Sequence, residues 1–358
     1  MRKRRRRPSS EIPSRWPWTR VLHHAPSIVD ARSGEGRWPV TERRPIVIVG
    51  LPRSGTTWTM RALRTSPGAI RVPEPDNEDN CPAAIHAKAE LGRYPCLEPG
   101  QEHSAYRQLW EWILSGAPKT WRFRQARRIL GRGSSERIFD GDMDLSTRLA
   151  AALARNPRPN SVPPGRVVAK SIHAQLSIEW IADEFEITPL ILLRHPASVL
   201  ASWMEVQLKD GRNSTLESRP EVRAHYAYRW DVPPPGPDPI EKMSWRIGLL
   251  VAALEEVLTR HPEWHVRTHE QLCTDPVAAF RQLFTDLDLP WGDDTEPFLV
   301  EFNAPGKGFS NRRVASELSD SWQKRLTDDQ LHTLRRTLAR FPITNWTDDD
   351  FERTAPGG

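Results

Sequence analysis

Ile46-Val47-Ile48-Val49-Gly50 is an uninterrupted apolar run, bounded by Pro45 on one side and the loop Leu51-Pro52-Arg53-Ser54-Gly55 on the other. A strand of that composition has no polar face to offer water, so it belongs inside a parallel sheet covered on both sides. The residues that follow, Thr56–Thr65, place Met60, Leu63 and Arg64 at helical spacing until Ser66-Pro67-Gly68 stops them. Ile70-Arg71-Val72 then offers a second strand. Strand, tight loop, helix, strand is the opening of a P-loop-like βαβ unit.

The same alternation resumes further along. Arg166-Val167-Val168-Ala169-Lys170 is a second buried-strand pattern, and residues 175–185 put Leu176, Trp180, Ile181 and Phe185 on one helical side. Thr188–Leu193 is the clearest candidate for a central strand, and Arg194-His195-Pro196 starts the next helix with Pro in its first turn. A helix over 244–260, a strand over 264–268 and helices over 276–287 and 327–340 complete the pattern. Residues 75–165 read as an insertion with helices near 83–91, 104–114 and 142–155, and 210–240, with its Pro233–Pro237 run, reads as a long surface loop. The predicted class is α/β: a P-loop-like three-layer fold with a central parallel sheet flanked by helices.

Composition narrows the function classes. Fifteen Trp and ten Phe in 358 residues exclude a collagen-like or wholly disordered chain. No run approaches the ~18–20 apolar residues of a membrane span. The net charge is +5, yet the six basic residues Arg2–Arg7 more than account for it, leaving −1 on the remainder. The basicity therefore belongs to a Pro/Arg-rich N-terminal arm, residues 1–44, expected to be a solvated terminus, and no apolar stretch follows it to make a secretory signal. Only eight of the 51 basic residues are lysines, so a lysine at a special position carries more information than an arginine. Cys81, Cys96 and Cys273 lack metal-ligand spacing and are expected as free thiols in a reducing cytoplasm. His261, His265 and His269 are expected to be structural, and no metal site is expected.

Two strand-to-helix turns carry the chemistry. In Gly50-Leu51-Pro52-Arg53-Ser54-Gly55-Thr56-Thr57-Trp58, glycine permits the tight turn and backbone N–H groups converge at the helix N-terminus, where anions bind. Thr56 and Thr57 add hydroxyls, and Arg53 adds a guanidinium. The Gly50-x-x-x-x-Gly55 spacing is that of a nucleotide P-loop, but Thr56-Thr57 stands where a kinase or ATPase needs Lys-Ser or Lys-Thr, so the loop suits a short phosphate better than a triphosphate–magnesium complex. The second turn, Leu193-Arg194-His195-Pro196, places Ser202 eight residues after Arg194, about two helical turns on. Two anion sites in one α/β chain fit a nucleotide with two phosphate groups.

Pro52-Arg53-Ser54-Gly55-Thr56-Thr57-Trp58 resembles the 5′-phosphosulfate loop of sulfotransferases that use 3′-phosphoadenosine 5′-phosphosulfate (PAPS), in the arginine form familiar from tyrosylprotein sulfotransferases and many bacterial members. The resemblance implies that Arg53, Ser54, Gly55, Thr56 and Thr57 hold the 5′ end of the donor and that Trp58 packs on its adenine. It also implies that Arg194 and Ser202 bind the 3′-phosphate. It extends over a domain at 45–345, followed by a tail at 346–358. PAPS would be a co-substrate, with no metal required.

Glu74 is the first candidate for the base that takes the acceptor's proton. It follows the second strand and lies twenty-one residues after Arg53, a separation similar to that of the catalytic Glu in tyrosylprotein sulfotransferases. Its alternative reading is a surface carboxylate in the acidic stretch Glu74-Pro75-Asp76-Asn77-Glu78-Asp79. His173 is the rival base; cytosolic sulfotransferases have Lys-x-His here, and His173 falls one position beyond that histidine. Lys170, twenty-four residues before Arg194 as in that family, carries over as a cation for the transition state, together with Arg53. Arg312, Arg313 and Ser319 are candidates for a segment that folds over the nucleotide in relatives.

The expected activity is transfer of a sulfonate group to an acceptor hydroxyl or amine, releasing adenosine 3′,5′-bisphosphate. The acceptor is expected to be a small molecule, glycan or lipid headgroup met by the 75–165 and 210–240 segments, with no nucleic-acid partner. Two alternatives stand beside it: a P-loop kinase using ATP–magnesium, and a nucleic-acid-binding protein acting through the basic arm.

Overall fold

A computed structural model describes residues 44–130, 143–161, 165–206, 216–302 and 321–352. The N-terminal arm and the candidates Arg312, Arg313 and Ser319 lie outside these described residues. Five strands form one parallel sheet: β1 (Ile46–Gly50), β2 (Ala69–Pro73), β3 (Arg166–Ser171), β4 (Thr188–Leu193) and β5 (His265–Thr268), in the order β2-β3-β1-β4-β5. Ile46, Val47, Ile48 and Val49 of β1 are wholly buried, as their lack of alternation requires. The α/β class with a helix-flanked parallel sheet is as the sequence predicts.

This order fixes where a ligand sits. From β1 the chain crosses through α1 (Thr56–Leu63) toward β2 at one edge, whereas from β4 it leaves toward β5 at the other. The loops after these neighbouring strands therefore diverge, opening a crevice at their carboxyl ends, the usual ligand position in an open α/β sheet. Gly50 closes β1 against β4 so tightly that a Cβ there would lie 2.5 Å from the Leu192 carbonyl oxygen and 3.0 Å from Thr56 Cγ2. Gln175 secures the same strand end from the other side, donating from Nε2 to the Gly50 carbonyl at 2.8 Å and to that of Ile172 at 3.0 Å.

The insertion supplies α2 (Pro82–Ala87), α3 (Ser104–Leu114), α4 (Trp121–Leu130) and α5 (Leu145–Ala154). The sequence reading missed α4, because four arginines in ten residues mask its apolar side, on which Phe123 and Ala126 are buried. After α6 (Ile178–Glu184) and β4 comes α7 (Pro196–Glu205), the helix that carries Ser202. The expectation of loop over 210–240 needs correcting in its described part: Pro220–Ala227 is helical and buries Val222 and Tyr226.

The long helix α8 spans Pro239–Arg260 and starts five residues before the predicted 244, because Asp238 caps it by accepting from the Ile240 and Glu241 N–H groups and Pro239 takes the first turn. After β5 come α9 (His269–Thr274), α10 (Pro276–Asp286), α11 (Thr295–Phe302) and α12 (Asp328–Leu338). Of these, α9 and α11 were not anticipated. α9 is started by a capping box of Thr268 and Gln271. All three cysteines are free thiols. No helix among the described residues is long and apolar enough to cross a membrane.

Gly50→Ala has to part β1 from β4 at the mouth of the crevice. It is expected to lower the unfolding free energy by about 1–3 kcal/mol in urea titrations; a change within about 0.5 kcal/mol would contradict the tight approach.

Candidate active site

The loop after β1 adopts two left-handed backbone conformations, at Arg53 (φ 75°) and Gly55 (φ 83°). Turns of this kind gather successive N–H groups on one side and form an anion-binding concavity at the start of α1. Glycine is needed at 55 for a second reason: a Cβ would fall 2.6 Å from Nδ1 of His269, which packs beneath the loop. Arg53 has no such freedom, and a non-glycine residue with positive φ persists only where its surroundings enforce it.

Those surroundings are the second turn. Arg194 Nη1 donates to the Arg53 carbonyl at 2.6 Å, Arg53 Nε donates to Ser202 Oγ at 2.9 Å, and Trp203 Nε1 donates to the Pro52 carbonyl at 2.9 Å. The two sequence motifs, 141 residues apart at Arg53 and Arg194, thus form one continuous hydrogen-bonded wall. Within it, Ser54 Oγ and Arg194 Nε are buried and have no hydrogen-bond partner among the described residues. Buried polar atoms are normally paired, so two unsatisfied donors on an anion-binding wall fit a polar, anionic ligand. Burial pushes the Arg194 guanidinium down to about 10, which leaves it charged at neutral pH.

Lys170 and Glu74 close the floor. They follow from adjacent strands: Pro73 pairs with Lys170 in the β2–β3 ladder, and the Glu74 N–H donates to the Lys170 carbonyl at 2.9 Å. The buried Lys170 Nζ donates to Thr57 Oγ1 at 2.8 Å and to Glu74 Oε1, so one ammonium joins the phosphate-type loop to the carboxylate. Burial raises the Glu74 pKa, but the charge and hydrogen bond of Lys170, with Asn77 and His173 behind it, hold it below the ordinary carboxylate range. Glu74 itself is left-handed, at φ 44°.

His173 goes elsewhere. Its ring is fully buried, edge-on to Tyr94, with Nδ1 at 3.4 Å from Lys88 Nζ and 3.5 Å from Glu78 Oε2. Lys88 and Glu78 are themselves fully buried and 2.8 Å apart, and Arg93 Nε lies 2.8 Å from Glu78 Oε1. The acidic stretch is thus not a solvated surface: Asp76 and Glu78 have no exposure, and Ser171 Oγ donates to Asp76 Oδ2. This cluster was missed in the sequence, where the only available signal was a lysine, Lys88, in a chain that otherwise uses arginine. Trp58 is half-buried and packs edge-on against Phe280 and His269, with ring centroids 4.9 and 6.2 Å away. Among the described residues, no group of three or more His, Cys, Asp or Glu side chains is set to hold a metal ion.

Residues 45–293, which contain the whole sheet and both turns, match the model of a protein family described as the sulfotransferase family. The chain belongs to that family. Three solved structures are similar to this sulfotransferase at low identity. One is the sulfotransferase domain from the curacin biosynthetic pathway (15% identity, 84% of this chain and 100% of that one, TM-score 0.42). A second is sulfotransferase STF9 from Mycobacterium avium (15%, 85% and 78%, TM-score 0.38). The third is the sulfotransferase domain of the Synechococcus PCC 7002 olefin synthase (15%, 85% and 98%, TM-score 0.37). No curated protein matches in sequence.

Beside Arg194 the sulfotransferase carries a pH-sensitive joint. His195 caps α7 by accepting the Ala197 N–H on Nδ1, and its Nε2 lies 3.0 Å from the Asp350 carbonyl, so the neutral ring with its proton on Nε2 satisfies both neighbours. The ring stacks on Trp322 at 5.2 Å and contacts Phe351, tying the C-terminal segment to the site. Burial, aided by Arg194, pushes its pKa down to about 4 against the pull of Asp350. Above the ordinary value near 6.5 the neutral ring costs nothing; as pH falls toward 4 the unfolded chain takes up the proton first. Stability is therefore expected to fall by about 3 kcal/mol across that window. In denaturant titrations at several pH values, His195→Asn, which keeps a capping side chain, should flatten this slope; an unchanged slope would count against the assignment.

Proposed function

We propose that this sulfotransferase takes PAPS as donor and transfers its sulfonate to an acceptor hydroxyl or amine, releasing adenosine 3′,5′-bisphosphate. The observation that carries this reading is the joining of the two anion-binding turns by the Arg53–Ser202 and Arg194–Arg53 hydrogen bonds, with Ser54 Oγ and Arg194 Nε buried and unsatisfied between them. A ligand that satisfies both turns needs an anionic group at each end, which a nucleotide with separate 5′ and 3′ phosphates has.

In this reading Ser54, Gly55, Thr56 and Thr57 bind the 5′ group through backbone N–H groups and hydroxyls, while Arg194 and Ser202 bind the 3′-phosphate. Trp58 offers a ring to the base. The donor supplies an already activated sulfonate on a phosphate leaving group. By analogy with phosphoryl transfer, the protein's work is then positioning and charge stabilisation. Lys170 and Arg53 stabilise charge at the oxygen left behind, and Lys170 is suited to this because its ammonium already spans Thr57 and Glu74. Glu74, kept ionised by Lys170, accepts the acceptor's proton. The burial of His173 against Lys88 and Glu78 favours Glu74 over it as base.

In thermal-shift measurements, adenosine 3′,5′-bisphosphate at a hundredfold excess over its dissociation constant should stabilise the protein by about 2.7 kcal/mol. ATP with magnesium should give a much smaller shift, and the reverse order would replace the sulfotransfer donor with a kinase substrate. For the chemistry, the acceptor is first found by mass spectrometry as a gain of sulfonate in cell extract incubated with enzyme and PAPS. Glu74→Gln should then cut turnover by a factor of about 10²–10⁴ while leaving adenosine 3′,5′-bisphosphate binding within a few-fold. Near-normal turnover would remove Glu74 from the mechanism.

A further inference from the structure

Glu74 has two carboxylate oxygens, and they are held by different parts of the molecule. Oε1 takes the ammonium of Lys170 from β3. Oε2 accepts from Asn77 Nδ2 at 2.9 Å, within the same turn. An amide side chain presents donors at one end and an acceptor at the other, so its network decides which end faces the carboxylate. Here the Asp79 N–H donates to Asn77 Oδ1 at 3.0 Å, which commits the NH₂ end to Glu74. The Asn77 N–H also donates to the Glu74 carbonyl at 3.2 Å, and the Asn77 carbonyl accepts from Asn80 and Cys81 at 3.0 and 2.8 Å. Asn77 is therefore the hub of the turn that keeps Glu74 left-handed.

The turn is fixed from below by the buried cluster. Lys88 Nζ donates to the Asp76 carbonyl at 2.9 Å and pairs with Glu78, and Ser171, one residue after Lys170, holds the Asp76 carboxylate. Asn77 sits between these two clamped neighbours and is itself buried.

We propose that Asn77 is a positioning residue for sulfonate transfer: its carboxamide, oriented by the Asp79 N–H, pins Oε2 of Glu74 and so keeps Oε1 on Lys170 and the carboxylate ionised. The inference rests on the reading of Glu74 as base. A donor to a carboxylate favours its charged form, and the charged groups acting on Glu74 are Lys170 from β3 and His173 from the turn after it. Asn77 adds to both without carrying charge.

The test reads Glu74 directly, by ¹³C NMR of the full chain labelled at glutamate carboxyl carbons, with the Glu74 signal assigned by its loss in Glu74→Gln. Two variants separate turn from donor. Asn77→Asp keeps the oxygen that accepts from Asp79 and exchanges the amide donor for a like charge; Asn77→Ala loses both. The Glu74 titration midpoint is expected to rise by about one pH unit or more in Asn77→Asp and by less in Asn77→Ala. Asn77→Asp is expected to melt cooperatively at pH 8 with a lowered Tm, because a one-unit rise in the Glu74 midpoint costs about 1.4 kcal/mol there. A midpoint in Asn77→Asp indistinguishable from wild type, in a protein that melts cooperatively, would falsify the role. So would an equal rise when a control carboxylate is introduced at Asn80. Failure of the underlying reading is recorded separately, as turnover that survives Glu74→Gln.

Discussion

Parallel pairing of β1 with both β3 and β4 is the constraint from which the site follows. A strand flanked on each side can send its loop only upward, past the sheet's carboxyl edge, and its neighbours do the same. β3 thereby delivers Lys170, β4 delivers Arg194, and β1 delivers Arg53 between them. Tight approach is part of this arrangement: the Leu192 carbonyl leaves no room for a side chain at residue 50. The apolar strands therefore set the spacing of the polar groups at their carboxyl ends.

The polar groups meet a second demand, which is that charges taken from water must be compensated. Removing a carboxylate or ammonium from solvent costs several kcal/mol even after relaxation. Lys88 and Glu78 are both wholly buried, and Asp76 lies beside them with its pKa raised by burial. Hydrophobic residues of similar volume would serve stability at least as well. What they would not supply is direction. The ammonium of Lys88 and the hydroxyl of Ser171 fix particular oxygens of the turn that bears Glu74, and this turn is backbone-strained. Rigidity around a strained turn is what an ionic and hydrogen-bonded cluster provides and an oily one does not.

The parts of this architecture written in local pattern were legible. β1, β3 and β4 announce themselves as apolar runs too short for helices, and the glycine loop with its following hydroxyls marks the first turn. Arg194 and Ser202 needed the resemblance as well as the spacing. Elements whose stabilising partners lie far away were not legible. α4 looks like a string of arginines until Phe123 and Ala126 are seen buried, and the start of α8 was hidden by a proline run that Asp238 interrupts with a cap. The stretch Glu74–Asp79 reads as a solvated acidic loop because its counter-charges, Lys88 and Lys170, come from 10 and 96 residues away. Burial of charge is a property of pairs, and a single segment does not display it.

The distribution of amines has a practical corollary. Among the described residues Lys119 and Lys324 are exposed and Lys242 is half-buried, whereas Lys88 and Lys170 are sealed inside. An acylating reagent will modify the outer amines at once and the inner two only when the molecule breathes. The rate at which those two sites acquire label is thus a clock for local opening beneath the crevice.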